Sequence, residues 1–214
     1  MSGKARTALD ETAGGEFRRT DAGFRSSIEP GGRFEPEAGR YHLYVSLACP
    51  WACRCLAVLS MKGLEDAIGV SVVHPTWQRT RPDIPGDEHT GWAFRDPSDP
   101  PLASSTGFGS FPGDGCVPDT VNGAKFVRDL YEKAADTTGK YSVPVLWDKK
   151  EGTIVNNESS EIIRMFNSAF NGVAKVPGES ADPRAAEDPT QRRPSCAFIA
   201  SPPSRSWQAT LRTW

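Results

Sequence analysis

The 214-residue sequence has no long apolar run and almost no net charge. No stretch approaches the roughly 18 consecutive apolar residues that a membrane span requires. Acidic and basic residues nearly balance, with a formal net charge of −2, so charge gives no reason to expect a nucleic acid or an anionic membrane as partner. The N-terminal residues contain no apolar segment typical of a secretion signal. We therefore expect a cytoplasmic protein.

Cysteine is also scarce, with only five in the chain, and three of these fall within residues 49–55. In a reducing cytoplasm, clustered cysteines serve catalysis or metal binding more often than structural disulfides. The spacing C-x3-C-x-C is not a recognised zinc pattern, and the three histidines (His42, His74 and His89) are not positioned in the sequence to complete a set of four ligands. The sequence therefore predicts thiol chemistry without a metal.

The spacing of apolar residues predicts an α/β domain. Strands and helices alternate at the start, and the stretch rich in proline and glycine in the middle predicts a long loop, which is usually functional or disordered. The predicted elements are a strand at 40–47, a helix that starts at Pro50 and ends at Gly63, a strand at 68–73, a long loop at 74–122, a helix at 123–136, a hairpin at 141–157 with Gly152 in its turn, and a last helix from Glu158 to Gly172.

The order β-α-β, long loop, α-β-β-α is that of a thioredoxin-like domain, a four-stranded mixed sheet with helices on both faces. The β-α-β unit should be parallel and right-handed. We place this domain at residues 40–172, after an irregular N-terminal arm at residues 1–39. Residues 173–214 are rich in proline and show no sustained period, which predicts a disordered tail.

Cys49 is the candidate nucleophile. It directly precedes Pro50, and because proline favours the first position of a helix, Cys49 falls at the N-cap or just before it. The N–H groups and the positive end of the helix dipole at this position favour the thiolate, which is the nucleophilic form. Arg54 adds positive charge nearby. The alternative is a small buried residue at a helix start.

The two neighbouring cysteines are expected to differ from Cys49. Cys53 lies one turn further along, on nearly the same face, and a Cys49–Cys53 disulfide would have to span a helical turn, which is geometrically awkward. Cys55 points elsewhere, among alanine and leucine, and is expected in the core. We therefore favour monothiol chemistry at Cys49 that passes through a mixed disulfide with a small thiol.

Two further segments fit this hypothesis. In thioredoxin-like domains the strand that faces the active cysteine begins with a cis-proline, and Pro144 stands at that position after Val143; an ordinary edge-strand proline is the alternative. Glu158 and Ser159 stand at the start of the last helix, where an amino-acid head such as the γ-glutamyl group of glutathione would fit. An acidic capping segment without a ligand is the alternative there.

Several segments together resemble the glutathionyl-hydroquinone reductases, the xi-class members of the glutathione transferase superfamily. They are "GRYHLYVSLACPWA", "GWAF", "NGAKFVRDLYEKA" and "YSVPVLWDKKEGTIVNNESSEIIRMFN". The resemblance covers roughly residues 16 to 171, with a gap at residues 95–115. It implies a thioredoxin-like domain followed by an all-helical domain, and a reductive deglutathionylation with glutathione as co-substrate. The substrates implied are glutathionylated quinone-type small molecules.

The resemblance also assigns roles to individual residues. Cys49 would be the catalytic nucleophile, which attacks the thioether sulfur of the substrate. Trp92 would pack over glutathione, and Lys140 would contact its glycyl carboxylate or backbone. The other glutathione-binding residues would be Val143 with Pro144, which pair with the peptide backbone, and Glu158 with Ser159, which hold the γ-glutamyl end.

The sequence departs from the family pattern in two places. The pattern usually continues "CPWAHR", and here Cys53 replaces the histidine, which puts a second thiol near the first. The helical domain that forms the hydroquinone pocket is not recognisable in residues 173–214. Without it an apolar face would be exposed, which predicts low stability, aggregation or a homodimer. A non-catalytic glutathione- or partner-binding fragment and a simple monothiol thiol-transferase are therefore the alternative functions.

Overall fold

The structure, a computed structural model, describes residues 21–104 and 107–178, together with residues 5, 12–13 and 16–17. Of the disordered tail predicted at residues 173–214, the part beyond residue 178 lies outside the described residues. In chain order, the helices and strands are β1 (Thr12–Ala13), β2 (Glu16–Phe17), β3 (Tyr41–Ser46), α1 (Pro50–Met61), β4 (Ile68–Val73), β5 (Gln78–Arg79), β6 (Thr90–Gly91), β7 (Leu102–Ala103), β8 (Ser110–Phe111), α2 (Val127–Lys133), β9 (Val145–Asp148), β10 (Thr153–Asn156) and α3 (Ser159–Ser168).

The central sheet has four strands in the order β10-β9-β3-β4. β3 and β4 are parallel and pair from Tyr41 opposite Ile68 to Ser46 opposite Val73. β9 is antiparallel to β3, and β10 is antiparallel to β9, so they form the predicted hairpin. This mixed sheet and its three helices confirm the predicted thioredoxin-like fold.

Helices cover both faces of the sheet, as predicted. On one face, the ring of Tyr41 packs edge-on against Phe170, just after α3, with ring centroids 5.7 Å apart. On the other face, His42 stands opposite Trp147 in the ladder, and the Lys133 ammonium at the end of α2 lies 5.8 Å from the Trp147 ring centroid. The alternation of side chains along β3 therefore separates the α1–α3 side of the domain from the α2 side.

Helix α1 begins and ends where the sequence predicts. Cys49 is its N-cap and Pro50 its first residue. At the other end, Gly63 adopts a left-handed backbone with φ +60°. The Gly63 N–H donates to the Ser60 carbonyl at 2.9 Å and the Leu64 N–H to the Leu59 carbonyl at 3.0 Å. These two bonds form a Schellman motif, which satisfies carbonyls that the end of the helix leaves without intrahelical partners.

Helix α2 is shorter than the predicted 123–136, because the preceding backbone pairs with another segment. The Phe94 N–H donates to the Lys125 carbonyl at 2.9 Å, and the Val127 N–H donates to the Trp92 carbonyl at 3.0 Å. These bonds hold residues before 127 extended. Ala135, with φ 58°, ends the helical stretch.

The long loop predicted at 74–122 contains short antiparallel pairs that order parts of it. β5 pairs with β6, and β7 pairs with β8. Near its end, Val117 exchanges two backbone hydrogen bonds of 2.9 and 3.0 Å with Val72 of β4. The stretch therefore folds back on the sheet edge and brings residues 92–94 against the start of α2.

The described part of the N-terminal arm packs on the domain. Ile28 and Phe34 are buried in its core, and the Ser26 N–H donates to the Val155 carbonyl of β10 at 3.1 Å. At the other end of the chain, the Val176 N–H donates to the Lys62 carbonyl at 3.2 Å. Residues on both sides of the predicted 40–172 unit thus contribute contacts to it. No helix in the described segments is long and apolar enough to cross a membrane.

Candidate functional site

Cys49 occupies the junction between β3 and α1. Its backbone is extended, with φ −108° and ψ 111°, while its carbonyl already accepts from the Ala52 and Cys53 N–H groups at 3.0 and 2.9 Å. The side chain is buried, and its thiol lies 3.6 Å from the Val143 carbonyl oxygen. The candidate nucleophile therefore stands at the N-cap and faces the segment that leads into β9.

The Val143–Pro144 peptide bond is cis, as predicted from the proline at the start of β9. Helix α2 holds Ser142, the residue before Val143, because the Tyr131 hydroxyl donates to the Ser142 carbonyl at 2.9 Å. The Asn157 side-chain amide in turn donates to the Tyr131 hydroxyl at 2.8 Å. A chain of hydrogen bonds thus links the cis-proline segment to the residue just before Glu158.

The other two cysteines of α1 differ from Cys49. The Cys55 side chain is fully buried, as predicted, and burial raises the pKa of its thiol to about 12. Cys53 is partly exposed, and its thiol lies 3.4 Å from the Leu47 carbonyl oxygen. Burial, and then the neighbouring Cys49, raise the pKa of Cys53 above its ordinary value. Both shifts disfavour the thiolate at these two positions.

Glu158 and Ser159 stand at the start of α3. Glu158 is the N-cap, and its carboxylate accepts from the Ser160 N–H at 3.2 Å. Ser159 is the first helical residue and is buried. Arg54 of α1 reaches this point: its Nε donates to the Ser159 Oγ at 3.1 Å, and its Nη2 lies 3.7 Å from a Glu158 carboxylate oxygen. Sequence reasoning noted only the charge of Arg54 and missed these contacts.

Trp92 and Lys140 lie on neighbouring segments. The Trp92 ring packs edge-on against Trp77, with centroids 5.4 Å apart, and its carbonyl accepts from the first N–H of α2. Lys140 lies in the segment that joins α2 to the cis-proline, where its backbone N–H donates to the Thr138 hydroxyl at 3.3 Å. Helix α1 contacts two other parts of the candidate site directly: the Cys49 thiol, at its N-cap, contacts Val143, and Arg54 contacts Ser159 at the start of α3.

The three histidines have partners within the fold. His42 is buried next to the Ser71 hydroxyl at 2.9 Å, and burial lowers its pKa to about 4. His74 accepts from the Thr76 N–H at 3.0 Å, and His89 lies 2.8 Å from the Thr80 hydroxyl. Within residues 21–104 and 107–178, the structure brings no three His, Cys, Asp or Glu side chains together as metal ligands.

These contacts define the class of the protein. A buried thiol caps a helix, faces a cis-proline segment, and stands near the start of a second helix that carries a buried hydroxyl and a carboxylate. Such an arrangement can bind an extended peptide-like thiol and exchange a sulfur with it. The chain is thus a thioredoxin-like protein with Cys49 as its candidate thiol nucleophile.

The family follows from comparison with known proteins. Residues 48–169 match the family described as "Glutathione S-transferase, N-terminal domain". This match covers more than half of the chain and contains Cys49, Val143 and the start of α3. The chain therefore belongs to the glutathione S-transferase family.

Individual relatives refine this placement. Glutathionyl-hydroquinone reductase PcpF of Sphingobium chlorophenolicum is 41% identical over 170 residues, which are 79% of this chain and 45% of that protein. The crystal structure of a glutathione-S-transferase Xi from Phanerochaete chrysosporium is 50% identical, with a TM-score of 0.58 over 73% of this chain and 45% of that one. A glutathione-bound structure of YqjG, a glutathione transferase homologue from Escherichia coli, is 42% identical, with a TM-score of 0.57 over 75% and 47% of the chains.

All three comparisons share one feature: the chain spans about half the length of the relatives it matches. The similarity to a glutathionyl-hydroquinone reductase and to xi-class transferases agrees with the resemblance found in the sequence. Residues 48–169, which match the glutathione S-transferase N-terminal domain, contain every predicted site residue.

Proposed function

We propose that Cys49 is the nucleophile of a glutathione-dependent reaction, and that the chain forms the glutathione-binding half of a glutathionyl-hydroquinone reductase. The observation that carries this proposal is the 3.6 Å approach of the Cys49 thiol to the Val143 carbonyl. A peptide paired with the Val143 backbone would place its own cysteine sulfur next to Cys49. Mixed-disulfide chemistry requires this geometry.

The proposed binding mode uses residues at both ends of the peptide. Val143, which precedes the cis Pro144, offers backbone groups to the cysteinyl residue of glutathione. Glu158 and Ser159 would hold the γ-glutamyl ammonium and carboxylate at the start of α3. Trp92 would cover the peptide, and Lys140 would contact its glycyl end. The glutathione-bound relative supports glutathione as the co-substrate.

The proposed reaction has two steps. The Cys49 thiolate attacks the sulfur of the glutathionyl-hydroquinone; the carbon–sulfur bond breaks, its electron pair stays on the ring carbon, and that carbon takes up a proton. The products are a hydroquinone and a Cys49–glutathione disulfide. A glutathione thiolate then attacks the glutathione sulfur of that disulfide, which releases the Cys49 thiolate and oxidised glutathione. The substrate is reduced by two electrons, and two glutathionyl sulfurs are oxidised to one disulfide.

A simpler thiol-transferase reaction is the second candidate. This reaction needs only the proposed nucleophile and the proposed glutathione contacts, which the described site contains. The chain spans about half the length of the reductase PcpF, and this supports the simpler reaction as a candidate. In this reaction the Cys49 thiolate attacks the glutathionyl sulfur of a mixed disulfide and releases the other thiolate. Free glutathione resolves the intermediate in the same way as above. A fragment that binds glutathione or a partner without turnover is the third candidate.

Two assays on the 214-residue chain separate these functions. The first follows glutathione-dependent reduction of a small mixed disulfide, and the second follows release of hydroquinone from a glutathionyl-hydroquinone. Activity in both supports the reductase; activity in the first alone supports the thiol-transferase. Cys49→Ser should abolish either activity, whereas Cys116→Ser, at a buried cysteine of the long loop, should retain it. Equal activity of Cys49→Ser and the parent chain would overturn the proposal.

The proposed reaction also bears on location and assembly. Turnover requires a supply of reduced glutathione, which supports a cytoplasmic location. Leu47, Trp51 and Met61 are large apolar side chains that are exposed on and next to α1. Exposed apolar side chains of this size favour association between protein surfaces, which supports a homodimer.

A further inference from the structure

The guanidinium group of Arg54 lies against the hydroxyl group of Ser159. Arg54 belongs to the helix that carries Cys49, and Ser159 opens the helix that is proposed to bind the γ-glutamyl group. Both Nε, at 3.1 Å, and Nη2 of Arg54 donate to the single oxygen of Ser159. A second bond joins the same helices, because the Cys55 thiol lies 3.8 Å from the Ser159 carbonyl oxygen.

The two N–H groups of Arg54 that donate to the Ser159 side-chain oxygen restrict what this hydroxyl group can do. A serine oxygen has two lone pairs and one proton. Because two N–H groups of Arg54 point at the oxygen, its acceptor capacity is used, and the hydroxyl can only donate. The side chain is also buried, so water competes little for this proton. The Ser159 hydroxyl can therefore donate to an acceptor group of a ligand, but it cannot accept from a donor group.

Charge strengthens the same preference. The Arg54 guanidinium places positive charge behind the Ser159 hydroxyl, and the N-terminus of the ten-residue helix α3 adds its dipole. Glu158 stands on the other side, with a carboxylate oxygen 3.7 Å from Arg54 Nη2. Arg54 thus contacts both Ser159, which is proposed to donate to the carboxylate of the ligand, and Glu158, which is proposed to accept from its ammonium group.

We propose that Arg54 is a positioning residue that makes the start of α3 specific for a carboxylate, through its bonds to Ser159. The inference rests on the proposed function, because the carboxylate in question is the α-carboxylate of the γ-glutamyl group. Arg54 itself acts from behind Ser159. Its replacement should therefore change which ligand is preferred.

The test compares glutathione with an analogue in which the γ-glutamyl α-carboxylate is a carboxamide. The KM of each ligand is measured in the disulfide-reduction assay. The parent should prefer glutathione, and Arg54→Met should raise the KM for glutathione by about tenfold or more, as expected for loss of a charge-assisted hydrogen bond. The KM for the carboxamide should change by less than about threefold. A general structural defect would weaken both ligands equally, and that result would overturn the inference.

Two further variants keep the test valid if Arg54→Met does not fold. Arg54→Lys keeps the charge but loses the paired N–H groups, so it should show an intermediate preference for glutathione. In a Ser159→Ala background, Arg54→Lys should cause no further loss of that preference, because the two residues act through one bond. Independent effects of the two substitutions would contradict the inference.

The results also separate this inference from the proposed function. If the parent chain forms no Cys49–glutathione disulfide, both are wrong. If that disulfide forms and Arg54→Met keeps the full preference for the carboxylate, the proposed function stands and only the role of Arg54 is wrong.

Discussion

The Cys49 thiol and the Val143 carbonyl oxygen lie 3.6 Å apart, although 94 residues separate them in the sequence. The parallel pair β3–β4 and the antiparallel β9 create this proximity, because the start of α1 and the start of β9 meet at one end of the sheet. The site is therefore a product of the fold rather than of one local motif. Predictions about it must test both the thiol and the scaffold that holds it.

Among the cysteines that the structure describes, Cys49 should be the most reactive. Burial raises the pKa of Cys55 to about 12 and that of Cys116 to about 11. At about pH 8, their thiolate fractions are then on the order of one in a thousand or less. We expect iodoacetamide to alkylate Cys49 first in the native chain and to leave Cys55 and Cys116 unmodified. Peptide mass mapping after limited reaction measures this order.

Denaturation supplies the control for that experiment. In urea the burial that raises both pKa values is lost, so Cys55 and Cys116 should be alkylated at rates typical of exposed thiols. If Cys55 is labelled as fast as Cys49 in the native chain, the assignment of Cys55 to the core is wrong.

His42 should make the stability of the domain depend on pH. Burial lowers its pKa from 6.5 to about 4 in the folded chain. As the pH falls below 6.5, the unfolded state binds a proton that the folded state does not, so stability present at higher pH is lost on the way to about pH 4. The full contribution is about 3 kcal/mol. Urea unfolding at several pH values measures the slope.

A substitution at the same position isolates this effect. The Ser71 hydroxyl donates to the Pro118 carbonyl at 2.8 Å, so it accepts from the His42 ring at 2.9 Å. His42→Gln keeps a side-chain donor but cannot titrate. The variant should therefore lose about one proton of uptake on unfolding between these pH values. An unchanged slope would show that His42 is not the titrating group.

Replacement of Gly63, at the end of α1, should destabilise the domain. Its φ of +60° is unfavourable for other residues, and an added Cβ would lie 2.6 Å from the Lys175 Cβ. We expect Gly63→Ala to lower the free energy of unfolding by about 1–2 kcal/mol. Gly172→Ala is the matched control, because nothing lies within 4 Å of its Cβ position. Equal effects of the two substitutions in urea titrations would contradict this account of the helix end.

The exposed apolar side chains of α1 should drive self-association. The Trp51 and Met61 side chains are 47% and 50% exposed, although both are large and apolar. Trp51→Lys combined with Met61→Lys should shift the chain toward monomer in sedimentation experiments. Phe108→Ser removes an 82% exposed apolar side chain from the long loop and serves as the control. Association that persists in the double variant would place the contact elsewhere.

Much of the scaffold was predictable from short-range patterns. The alternation along β3 and the Pro50 and Gly63 signals of α1 were readable in the sequence, because each depends on a few adjacent residues. The cis Pro144 was predicted from its place in the thioredoxin-like order of elements. The burial of Cys55 followed from its helical position. These patterns predicted the thioredoxin-like order of elements, and the structure confirmed it.

The features that the sequence did not reveal depend on contacts between distant segments. The bond between Phe94 and Lys125 keeps the residues before α2 extended, and no local pattern signals it. The long loop is ordered by pairings such as Val72 with Val117. The contact of Arg54 with Ser159 spans 105 residues and arises only when α1 and α3 pack together. Propensity cannot report such pairings, because it describes each segment alone.

The most direct test of the central claim is the intact mass of the chain after exposure to oxidised glutathione. We predict that one glutathionyl group is added at Cys49, as located by peptide mapping, and that reduced glutathione removes it. Cys49→Ser should acquire no adduct under the same conditions, while Cys116→Ser should match the parent chain. An adduct of equal yield in Cys49→Ser, or none in the parent chain, would contradict the assignment of Cys49 as the nucleophile.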